Sequence, residues 1–330
     1  MTTRPADAPA PVAWRRLALG LGWVSLAAIA IVILARLTGW EAGALAILVS
    51  LTPWLAFAAL VPLALAALGR SWPLAAGALA ALALTVVWTV PLFVADGDAT
   101  RAPEGDAAPA LTVASVSATF GGVDADAVVA LVRDASVDVL AVQELTPECV
   151  EALAAAGLAE ELPHAELRPE EGFTGTGLYS RLPLTDAEAL SGLTSWTVRA
   201  EVATEAGALT VLAPHPAAPG PLYHSAWESD LAALADLVSE VDGPLLVLGD
   251  LNATRDHRAF RRLEDAGLSD AVDQAGAGFQ PTFPEGRGPF PLVELDHAMI
   301  RDAMIVATHV RTVSVPGSDH RALVVDYSTP

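Results

Sequence analysis

Three long apolar runs without a charged residue crowd the first 95 positions, and they constrain this chain more than anything else in it. They cover 17–35, 42–68 and 74–95, which is 19, 27 and 22 residues. A bilayer core about 30 Å thick needs about 20 apolar residues of helix, so each run is long enough to cross. A cleaved leader has one shorter apolar core, whereas three in series read as membrane helices. Trp14, Trp23, Trp40, Trp72 and Trp88 lie mostly near the ends of the runs, as interfacial belts do. Pro53 and Pro62 are tolerable inside such a helix. The runs 42–68 and 74–95 hold no ionisable residue, which argues for an anchor and against a transport path.

Basic residues set the expected orientation. Arg4, Arg15 and Arg16 precede the first run and Arg70 lies between the second and third, while Arg36 stands with Glu41 in the first connection. The positive-inside rule places the N-terminus in the cytoplasm, and three crossings then leave the rest of the chain outside the cell membrane. Residues 96–110 (DGDATRAPEGDAAPA) are small, polar and proline-bearing and read as a flexible tether.

The remainder is a different material. Residues 1–110 carry 6 Arg and 6 acids, whereas 111–330 carry 12 Arg and 33 acids and so hold the whole net charge of −21. Ample apolar sequence in both parts excludes intrinsic disorder. The single cysteine, Cys149, excludes an intrachain disulfide and a cysteine metal cluster.

From 111 onward short apolar strands alternate with amphipathic helices. Strands are expected at 111–117, 137–142, 177–180, 195–202, 209–213, 244–248, 295–300, 305–315 and 322–327. Helices are expected at 124–134, 147–156, 224–240 and 260–266. About 220 residues in this order suggest one domain of layered sheets covered by helices.

Chemistry-bearing side chains fall repeatedly at strand ends, where the loops of an α/β domain converge. Gln143-Glu144 follows the second strand, Pro214-His215-Pro216 another, and Gly249-Asp250-Leu251-Asn252 a third. Asp296-His297 opens a strand, and Ser318-Asp319-His320 precedes the last. Each alone has a bland reading: Asp250 and Asn252 as turn residues, Glu144 as a helix-start charge, His215 as a satisfied histidine, Asp319-His320 as a surface loop. Five such placements together suit phosphoryl chemistry. Carboxylates hold a hard divalent cation, an acid–histidine pair handles protons, and amide and imidazole donors meet developing oxyanion charge.

These segments resemble the endonuclease/exonuclease/phosphatase superfamily. The matching stretches are 139–144 (VLAVQE), 177–184 (GLYSRLPL), the strand end at His215, 249–254 (GDLNAT), 281–284 (PTFP), 295–300 (LDHAMI) and 317–323 (GSDHRAL), in the family's order along the chain. The closest look is to membrane-anchored actinobacterial members. The resemblance implies a four-layered α/β sandwich of the DNase I type over 111–330. It implies that Glu144 binds a catalytic Mg²⁺ (with Mn²⁺ or Ca²⁺ as alternatives) and that Asp319 helps. Asp250 would position the attacking water, Asn252 would contact the phosphate and His215 would stabilise the transition state. His320 would serve as base or phosphate contact, oriented by Asp296. One departure stands out: the family's first strand ends in an asparagine that supports the metal shell, and Ser117 occupies that place here.

The expected activity is therefore metal-dependent phosphoester hydrolysis, of a diester or a monoester, by an enzyme anchored in the lipid bilayer. A nuclease is the alternative, disfavoured because nucleic-acid binders carry a basic footprint that 12 Arg against 33 acids does not supply. A binding or assembly protein with an impaired site is a third reading, resting on Ser117. No protein partner is implied. Outside the motifs, His257 at an expected helix start is a candidate substrate contact. Arg255, Arg258, Arg261 and Arg262 read as a solvated helix face, and His164, His224 and His309 as surface or structural histidines.

Overall fold

The computed structural model describes residues 11–96, 109–205, 207–220, 223–301 and 304–329. Five helices come first: α1 (Pro11–Thr38), α2 (Ala44–Val49), α3 (Leu55–Ala58), α4 (Leu60–Gly69) and α5 (Trp72–Thr89). The chain divides into two compact units. One comprises the residues up to Glu41 with Leu51–Val90, and the other comprises Ala42–Ser50 with Pro91–Pro330.

In the first unit, three helical stretches, Ala13–Thr38, Thr52–Gly69 and Trp72–Phe93, are long and apolar enough to cross a membrane; the last runs a few residues beyond the unit. They pack through Leu26, Ile29, Ile33, Ala59, Ala66 and Leu74. Small residues allow close approach: a Cβ on Gly69 would run into Leu19 Cδ2, and one on Gly22 would lie 2.5 Å from Leu74 Cδ2. Arg15 donates to the Gly69 carbonyl at the C-terminus of α4 (2.9 Å), and the Arg36 guanidinium lies 3.8 Å from the centre of the Trp88 ring.

The continuous helix expected over 42–68 is broken. Gly43 takes a left-handed φ of 57°, α2 is a separate six-residue helix, and the span begins only at Thr52. Ala46 on α2 is wholly buried in a core of the second unit. Residues 94–96 also belong to that unit: the Asp96 amide donates to the Gln274 carbonyl (2.9 Å). Most of the expected tether over 96–110 lies outside the described residues.

The second unit is two six-stranded sheets flanked by helices. Its strands are β1 (Leu111–Ser117), β2 (Val139–Gln143), β3 (His164–Arg168), β4 (Thr176–Ser180), β5 (Leu184–Leu190), β6 (Thr197–Thr204), β7 (Gly207–Ala213), β8 (Leu245–Asp250), β9 (Ser269–Asp270), β10 (Asp296–Arg301), β11 (Val306–Ser314) and β12 (Arg321–Ser328). Its further helices are α6 (Ala125–Asp134), α7 (Pro147–Ala155), α8 (Leu158–Glu161), α9 (His224–Glu240), α10 (Arg258–Asp265) and α11 (Ala271–Ala275). One sheet runs β11-β12-β1-β2-β4-β3 and the other β5-β6-β7-β8-β10-β9. Pairing is antiparallel except for β1–β2 and β7–β8, whose crossovers are α6 and α9.

Strand alternation builds the four layers. Val113, Val139 and Ala141 of one sheet meet Val211, Leu246 and Leu248 of the other between the sheets. Their neighbours Ala114, Val116, Leu140 and Val142 pack outward on α6 and α7. Leu245 and Val247 pack outward with Trp227, Leu231, Leu234 and Phe260 of α9 and α10. Strands covered on both faces read as continuous apolar runs, which is why β2 and β8 are plain in the sequence. Missed there are β3 and β5, whose partly exposed HAELR and LTDAEAL lack that pattern, and the two-residue β9.

Candidate active site

The two sheets bring their strand ends together at one rim. Ser117 and Gln143 end β1 and β2 as parallel register partners, and Asp250 ends β8 opposite Asp296 at the start of β10. Gly249 permits this approach, because a Cβ there would sit 2.5 Å from the Pro214 carbonyl oxygen and 3.2 Å from Gln143 Nε2. Left-handed backbone gathers at the same place, at Thr119 (φ 47°), Phe120 (55°), Glu144 (56°) and Asn252 (48°). Such conformations in non-glycine residues are costly and concentrate at functional sites.

Four of the residues expected from sequence converge on one carboxylate. Asp250 Oδ2 lies 3.6 Å from His320 Nε2 and 3.8 Å from His215 Nε2. His320 Nδ1 donates to Asp296 Oδ2 (2.8 Å), and the Phe283 ring of the PTFP segment packs 4.8 Å from the His320 ring. His215 Nδ1 donates to the Phe173 carbonyl (3.1 Å). Asp250 Oδ1 accepts the Asn252 amide (2.8 Å), and Asn252 Nδ2 donates to the Pro216 carbonyl (3.0 Å), so Asn252 ties the GDLN loop to the His215 loop. Asp230 of α9 holds that second loop by accepting the Ala217 amide (2.9 Å) and, with both oxygens, the Thr194 amide. Sequence reasoning passes over Asp230 because a carboxylate on an amphipathic helix reads as solvated, yet it is buried.

Glu144 and Asp319 sit on either side of the turn after β1. Glu144 Oε2 accepts the Phe120 amide (2.7 Å). Asp319 Oδ1 accepts the Thr119 hydroxyl (2.7 Å), and Asp319 Oδ2 accepts from Arg287 (2.8 Å). Ser318 Oγ donates to the Ser117 carbonyl (2.6 Å), joining the SDH segment to the end of β1.

Burial governs the electrostatics. It raises Asp250, opposed by His320 and His215, and Asp296 adds to the rise. It also raises Glu144, opposed by the Phe120 amide and the charge of His320. His215 is lowered by burial in spite of Asp250. Burial works against the His320 cation too, but Asp250 and Asp296 outweigh it and lift that imidazole to about 10. Near neutral pH the site thus pairs a neutral His215 with a positively charged His320.

The donor set suits a divalent cation. Carboxylate oxygens of Asp250 and Asp296 lie within 4.8 Å of each other and of the His320 ring, which as an imidazolium has no lone pair for a metal, with the Glu144 carboxylate close enough to sense the His320 charge. Asp296 Oδ1, Ser117 Oγ and Gln143 Nε2 are buried polar atoms without a protein partner at these strand ends, the mark of a place completed by ion or water. Ser117 ends β1 at this rim, and its short side chain reaches no protein partner.

His257 is not a substrate contact. It is buried with both ring nitrogens engaged by backbone, Nδ1 by the Thr254 amide (2.8 Å) and Nε2 by the Ala46 carbonyl (2.9 Å). In the arginine cluster, Arg255 pairs with Asp273 (2.5 Å).

This fold and rim define a hydrolase of phosphate esters. Residues 119–320 match the Endonuclease/Exonuclease/phosphatase family, and the chain belongs to it. Solved structures share the fold. The 3′ phosphatase NExo from Neisseria, bound to a product DNA hairpin, is 20% identical with a TM-score of 0.56 and aligns over 66% of this chain and 99% of its own. A humanized TDP2 from D. rerio is 17% identical with a TM-score of 0.57, over 66% and 99%. An AP endonuclease from Archaeoglobus fulgidus is 17% identical with a TM-score of 0.52, again over 66% and 99%. No curated protein matches the chain.

Proposed function

We propose that this protein is a membrane-anchored, divalent-metal-dependent phosphoesterase acting outside the cytoplasmic membrane on a small or lipid-linked phosphate ester. The observation that carries the reading is the convergence of His320 and His215 on Asp250, with Asp296 orienting His320. A cation held by Glu144, with Asp319 nearby, would neutralise phosphate charge and polarise the P–O bonds. Asp250 holds the attacking water in line with the leaving oxygen and takes its proton, its raised affinity for protons making it a better base. His320, positive and aimed by Asp296, presents Nε2–H to the phosphate and returns a proton to the leaving oxygen. The second proton on Asn252 Nδ2 is free to meet the same phosphate, while neutral His215, its proton on Nδ1, turns the Nε2 lone pair toward Asp250 and its water. The three apolar helices serve as the anchor, with the N-terminus cytoplasmic as the arginines indicate.

Neighbours bound to or named for DNA favour a nuclease as the second reading; the acidic balance of 33 acids to 12 Arg weighs against a long polyanion. The test uses the full chain in detergent with Mg²⁺, Mn²⁺ or Ca²⁺. Bis(p-nitrophenyl) phosphate, p-nitrophenyl phosphate, mixed phospholipid micelles and a single-stranded oligonucleotide are compared. The proposal expects metal-dependent turnover of a small or lipid ester at least about tenfold faster than that of the oligonucleotide. The reverse order makes the protein a nuclease, and no turnover with any metal defeats the hydrolase reading.

A further inference from the structure

The loop that carries Asp250 and Asn252 needs external support. It leaves β8 through Asn252 at a φ of 48°, a conformation that persists only where the surroundings hold it. Its backbone is held residue by residue. The Leu251 amide donates to the Leu295 carbonyl (2.8 Å). The Asn252 carbonyl accepts from Trp227 Nε1 (3.0 Å), and the Ala253 carbonyl accepts from His297 Nε2 (2.9 Å). The Thr254 amide donates to His257 Nδ1 (2.8 Å).

That last bond fixes the chemistry of His257. A backbone N–H can only donate, so Nδ1 presents its lone pair and the ring proton sits on Nε2. Nε2–H then donates to the Ala46 carbonyl at 2.9 Å. Burial drives the imidazole down to about 4, so it stays neutral and keeps this tautomer. Around the bond, Ala46 packs in one cluster with Trp227, Leu251, Ala253 and Phe260, and the Trp227 ring meets His257 edge-on at 5.1 Å. Ala46 belongs to Ala42–Ser50, the stretch that joins the first apolar helix to the second and that folds with the hydrolase unit.

We propose that His257 is a positioning residue that couples the Asp250–Asn252 loop to residues 42–50, so that the connection between the first two anchor helices is part of the framework of the active site. The catalytic consequence rests on the hydrolase reading above; the mechanical coupling does not. The anchor would then act as more than a leash. A chain cut after the third apolar helix loses a buried residue of the cluster beneath the catalytic loop, together with the acceptor of the His257 bond.

Two substitutions separate this role from a merely local one. In His257→Asn the amide oxygen can still accept the Thr254 amide, but the side chain is too short for Ala46. In His257→Gln the longer amide can still reach Ala46. Both are made in the full chain in detergent, with His257→Ala as reference. Turnover of bis(p-nitrophenyl) phosphate with Mn²⁺ is measured, along with amide hydrogen exchange of the 42–50 and 249–257 segments. The expected result is a kcat loss of about tenfold or more in His257→Asn with KM within about twofold, as for a misplaced catalytic group. Exchange should rise together in both segments, and His257→Gln should restore kcat and protection. Wild-type kcat in His257→Asn, or faster exchange confined to 249–257, overturns the coupling. Should the wild type turn over no ester with any metal, the hydrolase reading falls, and the exchange arm alone decides whether the two segments are linked.

Discussion

Two buried clusters of two acids and a histidine lie back to back on β10, and their difference separates a reacting site from a strut. Asp250, Asp296 and His320 form one; Asp270, Glu294 and His297 form the other, each with ligand-type atoms within 4.8 Å. Asp296 and His297 are consecutive, so strand alternation sends one to the rim and the other toward the helix layer, where His297 packs on Phe260 with ring centres 4.6 Å apart. In the second cluster the histidine is spent: Nδ1 on Asp270 Oδ2 (2.8 Å) and Nε2 on the Ala253 carbonyl (2.9 Å). Burial opposes its charge, but Asp270 and Glu294 lift it to about 9, while burial raises Glu294 to about 8, so that it largely holds its proton at neutral pH. At the rim His320, and His215 just outside the first cluster, face Asp250 at more than hydrogen-bond distance; Asp296 Oδ1 has no partner, and neither has Glu294 Oε1 in the second cluster. A histidine between two acids therefore does different work according to whether both of its ring nitrogens are engaged.

The sharpest contrast comes from removing a histidine on each side. His320→Ala should lower kcat by about a thousandfold or more, since it deletes the group that meets charge in the transition state. His297→Ala should retain a far larger share of turnover per folded molecule, its loss coming through the loosened Ala253 carbonyl. Steady-state kinetics on protein checked by thermal unfolding reads both. Equal losses would erase the distinction.

Stability should show the opposite ranking. Breaking a buried ion pair by removing one partner costs about 3–5 kcal/mol. Asp270→Asn does this and faces an amide N–H2 to the His297 Nδ1–H, because Asp270 Oδ1 already caps α11 through the Val272 amide (2.8 Å). A marked fall in the denaturation midpoint of the hydrolase unit is expected.

The pH dependence follows from the same pair. His297 is raised in the folded state, so its contribution is fully present below its ordinary value of about 6.5 and is lost as pH rises through about 9. Glu294, raised to about 8, acts in the same direction, as folding favours its protonated form. Unfolding midpoints should fall from about pH 6.5 to 9, and His297→Gln should flatten that slope. An unchanged slope in the variant would remove His297 from the account.

The smallest effect is expected at the rim. Ser117→Asn supplies a longer amide where Ser117 Oγ finds no partner. Groups that support a metal shell alter affinity by about tenfold or more, so the half-saturating Mn²⁺ concentration for turnover should fall by about that factor. No change would mean that this position does not support the metal.

Much of this arrangement is legible before folding, for physical reasons. Strands buried on both faces must be continuously apolar, which marks β2 and β8 and with them the polar residues that follow. Motif residues at those ends, Glu144, Asp250, Asn252, Asp296 and His320, are conspicuous because polar groups there interrupt apolar runs. What stays hidden depends on tertiary contacts that leave no periodic trace. Residues 42–50 are as apolar as a membrane span, and only the burial of Ala46 reveals a place in the hydrolase core. Asp230 goes unmarked because it sits on an amphipathic helix whose polar face happens to be covered, and His257 reads as a substrate contact because nothing in the sequence places Ala46 against it. The edge strands β3 and β5 carry charges that a sequence pattern assigns to loops.

The most direct measurement takes the full chain beside Asp250→Asn and Asp270→Asn, recording turnover of bis(p-nitrophenyl) phosphate with Mn²⁺ and with EDTA and thermal unfolding of the same preparations. Turnover that vanishes in EDTA and in a normally folded Asp250→Asn, but survives per folded molecule in a destabilised Asp270→Asn, is the predicted result. Turnover that persists in Asp250→Asn, or a folded wild type inert with every divalent metal, would contradict it.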